Sequence, residues 1–185
     1  MRKLIVFNNV TLDGYFTDKN GDMSWAHKSD EEYNAFVREN SQGGGEFLLG
    51  RVTYEMMASF WPTPMAQEMM PVVAKAMNNS PKVVFSKSLT TVSWSNTKVV
   101  NGDLATEVRK MKSESGKPIV IFGSGTIVSQ LAQAGLIDEY QIVLHPIALG
   151  KGRTMFEGLK EKLPLKLIKS RTFANGSTFL CYDPA

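Results

Sequence analysis

The stretch that most restricts the fold is residues 118–122, a short apolar run that passes without pause into Gly123-Ser124-Gly125-Thr126 and then into Ile127, Val128 and Leu131 at helical spacing. A continuous apolar run of this length reads as a strand buried on both faces. A strand that leaves through a glycine-rich turn into a helix is half of a βαβ unit, and it favours a parallel sheet covered by helices. The turn also exposes backbone N–H groups at the positive end of the helix dipole, the local arrangement that a pyrophosphate needs. The spacing falls short of a full G-x-G-x-x-G, so close packing of strand on helix is the competing reading of the two glycines.

The rest of the chain supplies partners for such a unit. Residues 3–8 read as a buried, central strand, and residues 10–28, rich in Asp-Gly and Asn-Gly turn chemistry, as a long loop able to act as a lid. Ser29 and Glu32 form a capping box, so a helix starts near Asp30, with Tyr33, Phe36 and Val37 on one face. Gly43-Gly44-Gly45 breaks it before a short strand, residues 47–49, that ends at Gly50 with Arg51 opening the next helix. Residues 53–77 are helical or loop-like, with Pro62, Pro64 and Pro71 as breaks and a high density of methionine that suits either an irregular core or a pliable pocket wall. Strands at residues 83–85 and 98–100 precede a helix from Asp103. A long strand over residues 137–149 follows, then residues 165–173 and 177–182 flank Asn175-Gly176 as an antiparallel hairpin.

With 185 residues, 43% hydrophobic and 21% charged, one domain spanning residues 1–185 is expected, and disordered and membrane classes are disfavoured. A net charge of +3 with dispersed basic residues argues against a nucleic-acid partner. One cysteine, Cys181 in an apolar run, rules out an internal disulfide and reads as a buried thiol. The apolar stretch after Arg2-Lys3 is too short for a signal peptide or membrane span, so a cytoplasmic location is expected. His27 and His145 are read as structural, and no metal site is expected.

Two more strand exits carry anion-binding chemistry. Gly50-Arg51-Val52-Thr53 puts a cation and a hydroxyl at a helix N-terminus, where cations ordinarily avoid the dipole, and an anionic ligand would resolve that conflict. The alternative is an Arg51–Glu55 pair across one helical turn, worth about 0.3–0.5 kcal/mol. Ser86-Lys87-Ser88 ends a buried strand with hydroxyls and one cation, suited to a phosphate monoester. In open α/β sheets ligands gather at the carboxyl ends of strands, so the three exits can line one crevice.

These segments, residues 49–55, 83–88 and 119–127, resemble in order and spacing the dihydrofolate reductase fold. The opening Val10-Thr11-Leu12-Asp13-Gly14 and the stretch from His145-Pro146 through Gly150-Lys151-Gly152-Arg153 to Phe156 resemble its riboflavin-biosynthesis reductase branch, in a stand-alone form. The resemblance implies an α/β fold with three αβα layers, its mixed, mostly parallel sheet closed by the antiparallel C-terminal hairpin. It implies NADPH as cofactor: Gly50, Arg51 and Thr53 on its phosphates, Ser86 and Lys87 on the 2′-phosphate, and Gly123, Ser124, Gly125, Thr126 and Ile127 on the pyrophosphate and nicotinamide side. Trp25 and Asp30 stand at the spacing of the tryptophan and pocket carboxylate of folate reductases, which makes Asp30 a candidate proton donor as well as a helix cap.

The expected activity is hydride transfer to a C=N or C=O bond of a small, pterin- or pyrimidine-like molecule, with Asp13, Trp25 and Lys151 as candidate substrate contacts. Folate itself is disfavoured, because no basic residue lies between Arg51 and Lys75 to hold a glutamate tail. Two alternatives stay open: an inactive nucleotide-binding or regulatory homologue, and a dimeric interaction module built on the last strands. A homodimer is expected with the reductase reading as well.

Overall fold

The computed structural model describes residues 1–26 and 30–185. Its elements are β1 (Leu4–Thr11), β2 (Tyr15–Asp18), α1 (Glu31–Gln42), β3 (Glu46–Gly50), α2 (Arg51–Phe60), α3 (Pro64–Met69), α4 (Pro71–Asn79), β4 (Lys82–Phe85), β5 (Thr97–Val100), α5 (Leu104–Ser113), β6 (Ile119–Phe122), α6 (Gly125–Gln133), β7 (Glu139–His145), β8 (Gly152–Thr154), β9 (Leu165–Thr172) and β10 (Thr178–Pro184). The order across the main sheet is β5-β4-β3-β6-β1-β7-β10-β9. Pairs from β5 to β7 are parallel, and β10 runs antiparallel to both β7 and β9.

Apolar burial fixes this arrangement. Leu4, Val6, Leu48, Val83, Ile119 and Ile121 turn one face of the sheet toward Val108 and Met111 of α5 and Ile127, Val128 and Leu131 of α6. On the other face Phe47, Leu49 and Val84 pack with Tyr54 of α2 and Val73 and Met77 of α4, while Tyr33 of α1 packs with Val143, Phe173 and Phe179. Three αβα layers result, because each central strand buries side chains on both faces.

Local chemistry sets the boundaries. The Asp30 carboxylate caps α1 by accepting from Glu32 N at 3.3 Å, and the expected Ser29 part of the capping box lies outside the described residues, as does His27. Asp103 caps α5 through Thr106 N at 2.9 Å. Pro64 and Pro71 prove to open α3 and α4 rather than break a helix, since the first helical position needs no N–H donor. The glycine triplet also has a cause: a Cβ on Gly45 would fall 2.8 Å from the Pro118 carbonyl, beside which the chain must pass to start β3 against β6. At Asn175-Gly176 the glycine takes φ +84, and Gly176 N donates to Phe173 O at 2.9 Å to close the hairpin.

Three expectations are corrected. The first strand extends to Thr11, well beyond residue 8, because it pairs with β7 from Ile5 to Thr11. The lid loop over residues 10–28 instead contains β2, which pairs with β8 in a separate two-stranded sheet. The strand expected over residues 137–149 is shorter at both ends, spanning Glu139–His145 and stopping where Pro146 has no N–H for the ladder.

Candidate functional site

Parallel pairing brings the three strand exits to one edge. Gly50 of β3 lies level with Phe85 of β4, and Leu48 of β3 with Ile121 of β6, so all three chains leave on the same side. Contacts at the exits are close enough to exclude side chains. A Cβ on Gly50 would fall inside contact with Ser124 Oγ, and one on Gly123 would stand 2.9 Å from Thr53 Oγ1. The β3–α2 and β6–α6 junctions therefore touch directly.

At the second junction Gly123 and Ser124 both take left-handed conformations, φ 59 and φ 54. For serine this costs about 1 kcal/mol. Gly123 N donates to the buried Asn8 Oδ1 at 2.8 Å, which anchors the turn to β1. Ser124 O accepts from Ile127 N and Val128 N, starting α6. The N–H groups of Ser124, Gly125 and Thr126 have no hydrogen-bond partner among the described residues. Consecutive N–H groups at the start of an apolar helix form a concave donor set for an anion.

Around this set stand the cations and hydroxyls. Arg51, about half exposed, bonds both Glu55 carboxylate oxygens at 3.0 Å, an intrahelical pair across one turn. That exposed pair is weak enough for a phosphate to displace. The Thr53 hydroxyl, against Gly123, has no hydrogen-bond partner among the described residues. Ser86 Oγ accepts from Ser88 N at 3.2 Å and Leu89 N at 3.0 Å, shaping the loop that carries the exposed Lys87. A Cβ on Gly125 would meet Thr154 O at 2.5 Å and the Phe16 ring at 3.2 Å, so the small β2–β8 sheet closes directly over the start of α6.

The carboxyl end of β1 builds a second polar group beside α1. Asn9 Oδ1 accepts from Tyr33 Oη at 3.1 Å and lies 2.9 Å from His145 Nε2, whose Nδ1 lies 3.1 Å from Ser177 Oγ. Trp25 stands edge-on to His145 with ring centres 5.4 Å apart. Burial pushes the Tyr33 phenol up to about 12, so it stays a protonated donor. Asp30 is one helical turn before Tyr33, and its Oδ2 is buried with no partner among the described residues.

The other candidates are placed differently. Asp13 accepts from Thr11 Oγ1 at 2.6 Å, Leu149 N at 3.0 Å and Gly150 N at 2.7 Å, so its carboxylate is occupied in tying the β1–β2 turn to the loop after β7. The Thr11 hydroxyl, with the Gly150 and Leu149 N–H groups, holds this carboxyl below its ordinary value. Lys151 is exposed at the entry to β8, next to that clasp. Asn8, Asn9, Tyr33 and Ser177 were missed as site residues. The signal for the first two was available, a polar pair inside an apolar strand.

The model of a family described as RibD C-terminal domain matches residues 2–179. The uncharacterized protein YyaP of Bacillus subtilis (strain 168) is 27% identical over 182 residues, 98% of this chain and 94% of that protein. A putative riboflavin biosynthesis protein from Shewanella sp. PV-4 superposes with a TM-score of 0.75 at 26% identity, covering 99% of each chain. Dihydrofolate reductase from Enterococcus faecalis, solved with NADP(H), superposes at 0.66 with 13% identity over 98% of this chain and 96% of that one, which shows a shared fold.

Proposed function

The chain belongs to the RibD C-terminal domain family, and from that premise we propose that it is an NADPH-dependent reductase acting on a C=N or C=O bond of a small, pterin- or pyrimidine-like molecule. The observation that carries the reading is the meeting of three strand exits at one end of the sheet, with the N–H groups of Ser124, Gly125 and Thr126, unpartnered among the described residues, at its centre.

These residues fit a dinucleotide. The α6 turn would hold the pyrophosphate, with Ile127 behind it and the Thr53 hydroxyl alongside. Gly50 lets the two turns approach. Arg51, on leaving Glu55, would take a cofactor phosphate, and Ser86 with Lys87 the 2′-phosphate. When bound, NADPH supplies the hydride. Asp30, or water beside it, would deliver the accompanying proton, and Trp25 would border the substrate. Asp13 would act by fixing the loop that presents Lys151 to any anionic part of the substrate. Half-exposed Leu167 and Ile168 on the outermost strand support a homodimer, which sedimentation of wild type against a Leu167→Lys/Ile168→Lys variant tests.

Titration of the protein with NADPH and NADH, followed by nicotinamide fluorescence, tests the cofactor assignment. Saturable binding with NADPH preferred and a loss of about tenfold in Arg51→Ala is expected. Absence of saturation, or equal affinity for both nucleotides, refutes it.

A further inference from the structure

The reading above gives no task to the polar chain from Ser177 through His145 to Asn9 and Tyr33. Ser177 is fully buried and His145 is 1% exposed, so their bonds stay free of water competition. Ser177 Oγ–H can donate to Nδ1 only if the imidazole carries its proton on Nε2, and that N–H then donates to Asn9 Oδ1. Tyr33, a protonated phenol, donates to the same oxygen. Both lone pairs of the amide oxygen are thereby taken.

Asn9 is half-buried, and its amide nitrogen has no partner among the described residues. We propose that Asn9 determines which substrate the site accepts: Ser177, His145 and Tyr33 lock its amide so that the NH2 group faces the crevice, and the site selects a ligand with a carbonyl oxygen at that point. The inference rests on the reductase reading only for calling this crevice the substrate side. Its polarity follows from the hydrogen bonds.

Two fragments of equal shape test this, 2-pyridone with C=O beside N–H, and 2-aminopyridine with an amino group where the C=O stood. Ligand-observed NMR on the NADPH-loaded protein should show 2-pyridone bound roughly tenfold tighter; the ring nitrogen changes from N–H to bare N as well, so the part due to Asn9 is read from the comparison with Asn9→Asp. Asn9→Asp keeps the side-chain shape and the oxygen facing His145 but replaces the NH2 with an acceptor, and should invert the order. Ser177→Ala and His145→Gln release the lock and should bring the two fragments within about threefold. An unchanged order in Asn9→Asp, a wild-type preference for 2-aminopyridine, or no binding of either fragment overturns the proposal. NADPH titration of each variant serves as the folding check. If NADPH does not bind, the reductase reading fails and the fragment order is read on the free protein, so the two failures remain distinct.

Discussion

Replacing Gly50 with alanine tests whether the β3–α2 and β6–α6 turns are held in direct contact. Gly50 has φ −83 and ψ 162, a conformation that alanine adopts without strain, so any effect is steric. The added Cβ would meet Ser124 Oγ inside contact, Ser124 Cβ at 3.1 Å and Ile127 Cδ1 at 3.5 Å. Overpacking of this kind costs about 1–3 kcal/mol when the neighbour cannot move away. Ser124 is constrained, because its φ of 54 is already left-handed and its carbonyl starts α6.

Ser124→Gly removes both atoms in the way. It relieves about 1 kcal/mol of left-handed strain and gives back a comparable amount through the entropy of the unfolded chain, so alone it should be near neutral. In that background Gly50→Ala leaves only the Ile127 contact, which is of ordinary van der Waals distance, and should also be near neutral. The four proteins of this cycle, unfolded in urea, should give a coupling of about 2 kcal/mol, and NADPH affinity should fall in Gly50→Ala and return in the double variant. Additivity within about 0.5 kcal/mol would show that the junctions do not touch and would remove the geometric basis of the cofactor site.

Lys87→Ala should lower NADPH affinity about tenfold and leave NADH unchanged, and a parallel loss for both nucleotides would move the 2′-phosphate elsewhere. Burial pushes Lys82 down from 10.5 to about 8. Between those values the unfolded chain binds more protons, so stability should rise with pH across that window by at most about 3 kcal/mol and be flat below it. Lys82→Met should abolish that rise and cost about 1–3 kcal/mol at pH 7, since the Ser80 and Ser95 carbonyls lose their donor, and an unchanged pH profile refutes the assignment. For Asp13 the folded value lies below 3.8, so its clasp should be complete above that pH and lost only as pH falls through the folded value. Amide exchange at Leu149 and Gly150 reads this directly: Asp13→Ala should speed it at pH 6, and unaltered exchange would contradict the clasp.

What could be read from the chain divides by range. The β6–α6 junction, the helix start near Asp103 and the turn at Asn175-Gly176 are each set by residues close together in the chain, and local patterning located them all. Arg51 was legible as a conflict with the helix dipole, but its pairing with both oxygens of Glu55 needed coordinates. The β2–β8 pair was not legible, because strands of four and three residues have too few side chains to show a period and gain their pairing from chain far away in sequence. The same holds for Lys82, outside the expected strand at residues 83–85, whose ammonium closes the end of α4 through Asn78 and Ser80 and lies 4.4 Å from the Trp94 ring. Asn9, His145 and Ser177 are drawn together across separations of 136 and 32 residues, which no local signal encodes.

The dipeptide Asn8-Asn9 joins the two halves of the site. Adjacent residues on a strand project to opposite faces, so one strand can serve both layers without turning. Asn8 shares the inner face of Leu4 and Val6 and holds Gly123 N, fixing the turn that carries the N–H groups of Ser124, Gly125 and Thr126. Asn9 faces Tyr33 and His145 on the α1 side. A one-residue slip of β1 would exchange these roles and lose both sets of bonds together, and β1 is held against slipping by parallel pairing with β6 on one edge and β7 on the other. The sheet also changes from parallel to antiparallel one strand away, at β7, where His145 takes up Ser177, the residue just before β10. The proposed cofactor turn and the proposed substrate-facing amide are thus carried by one strand, and their geometry relative to each other cannot drift unless that strand moves.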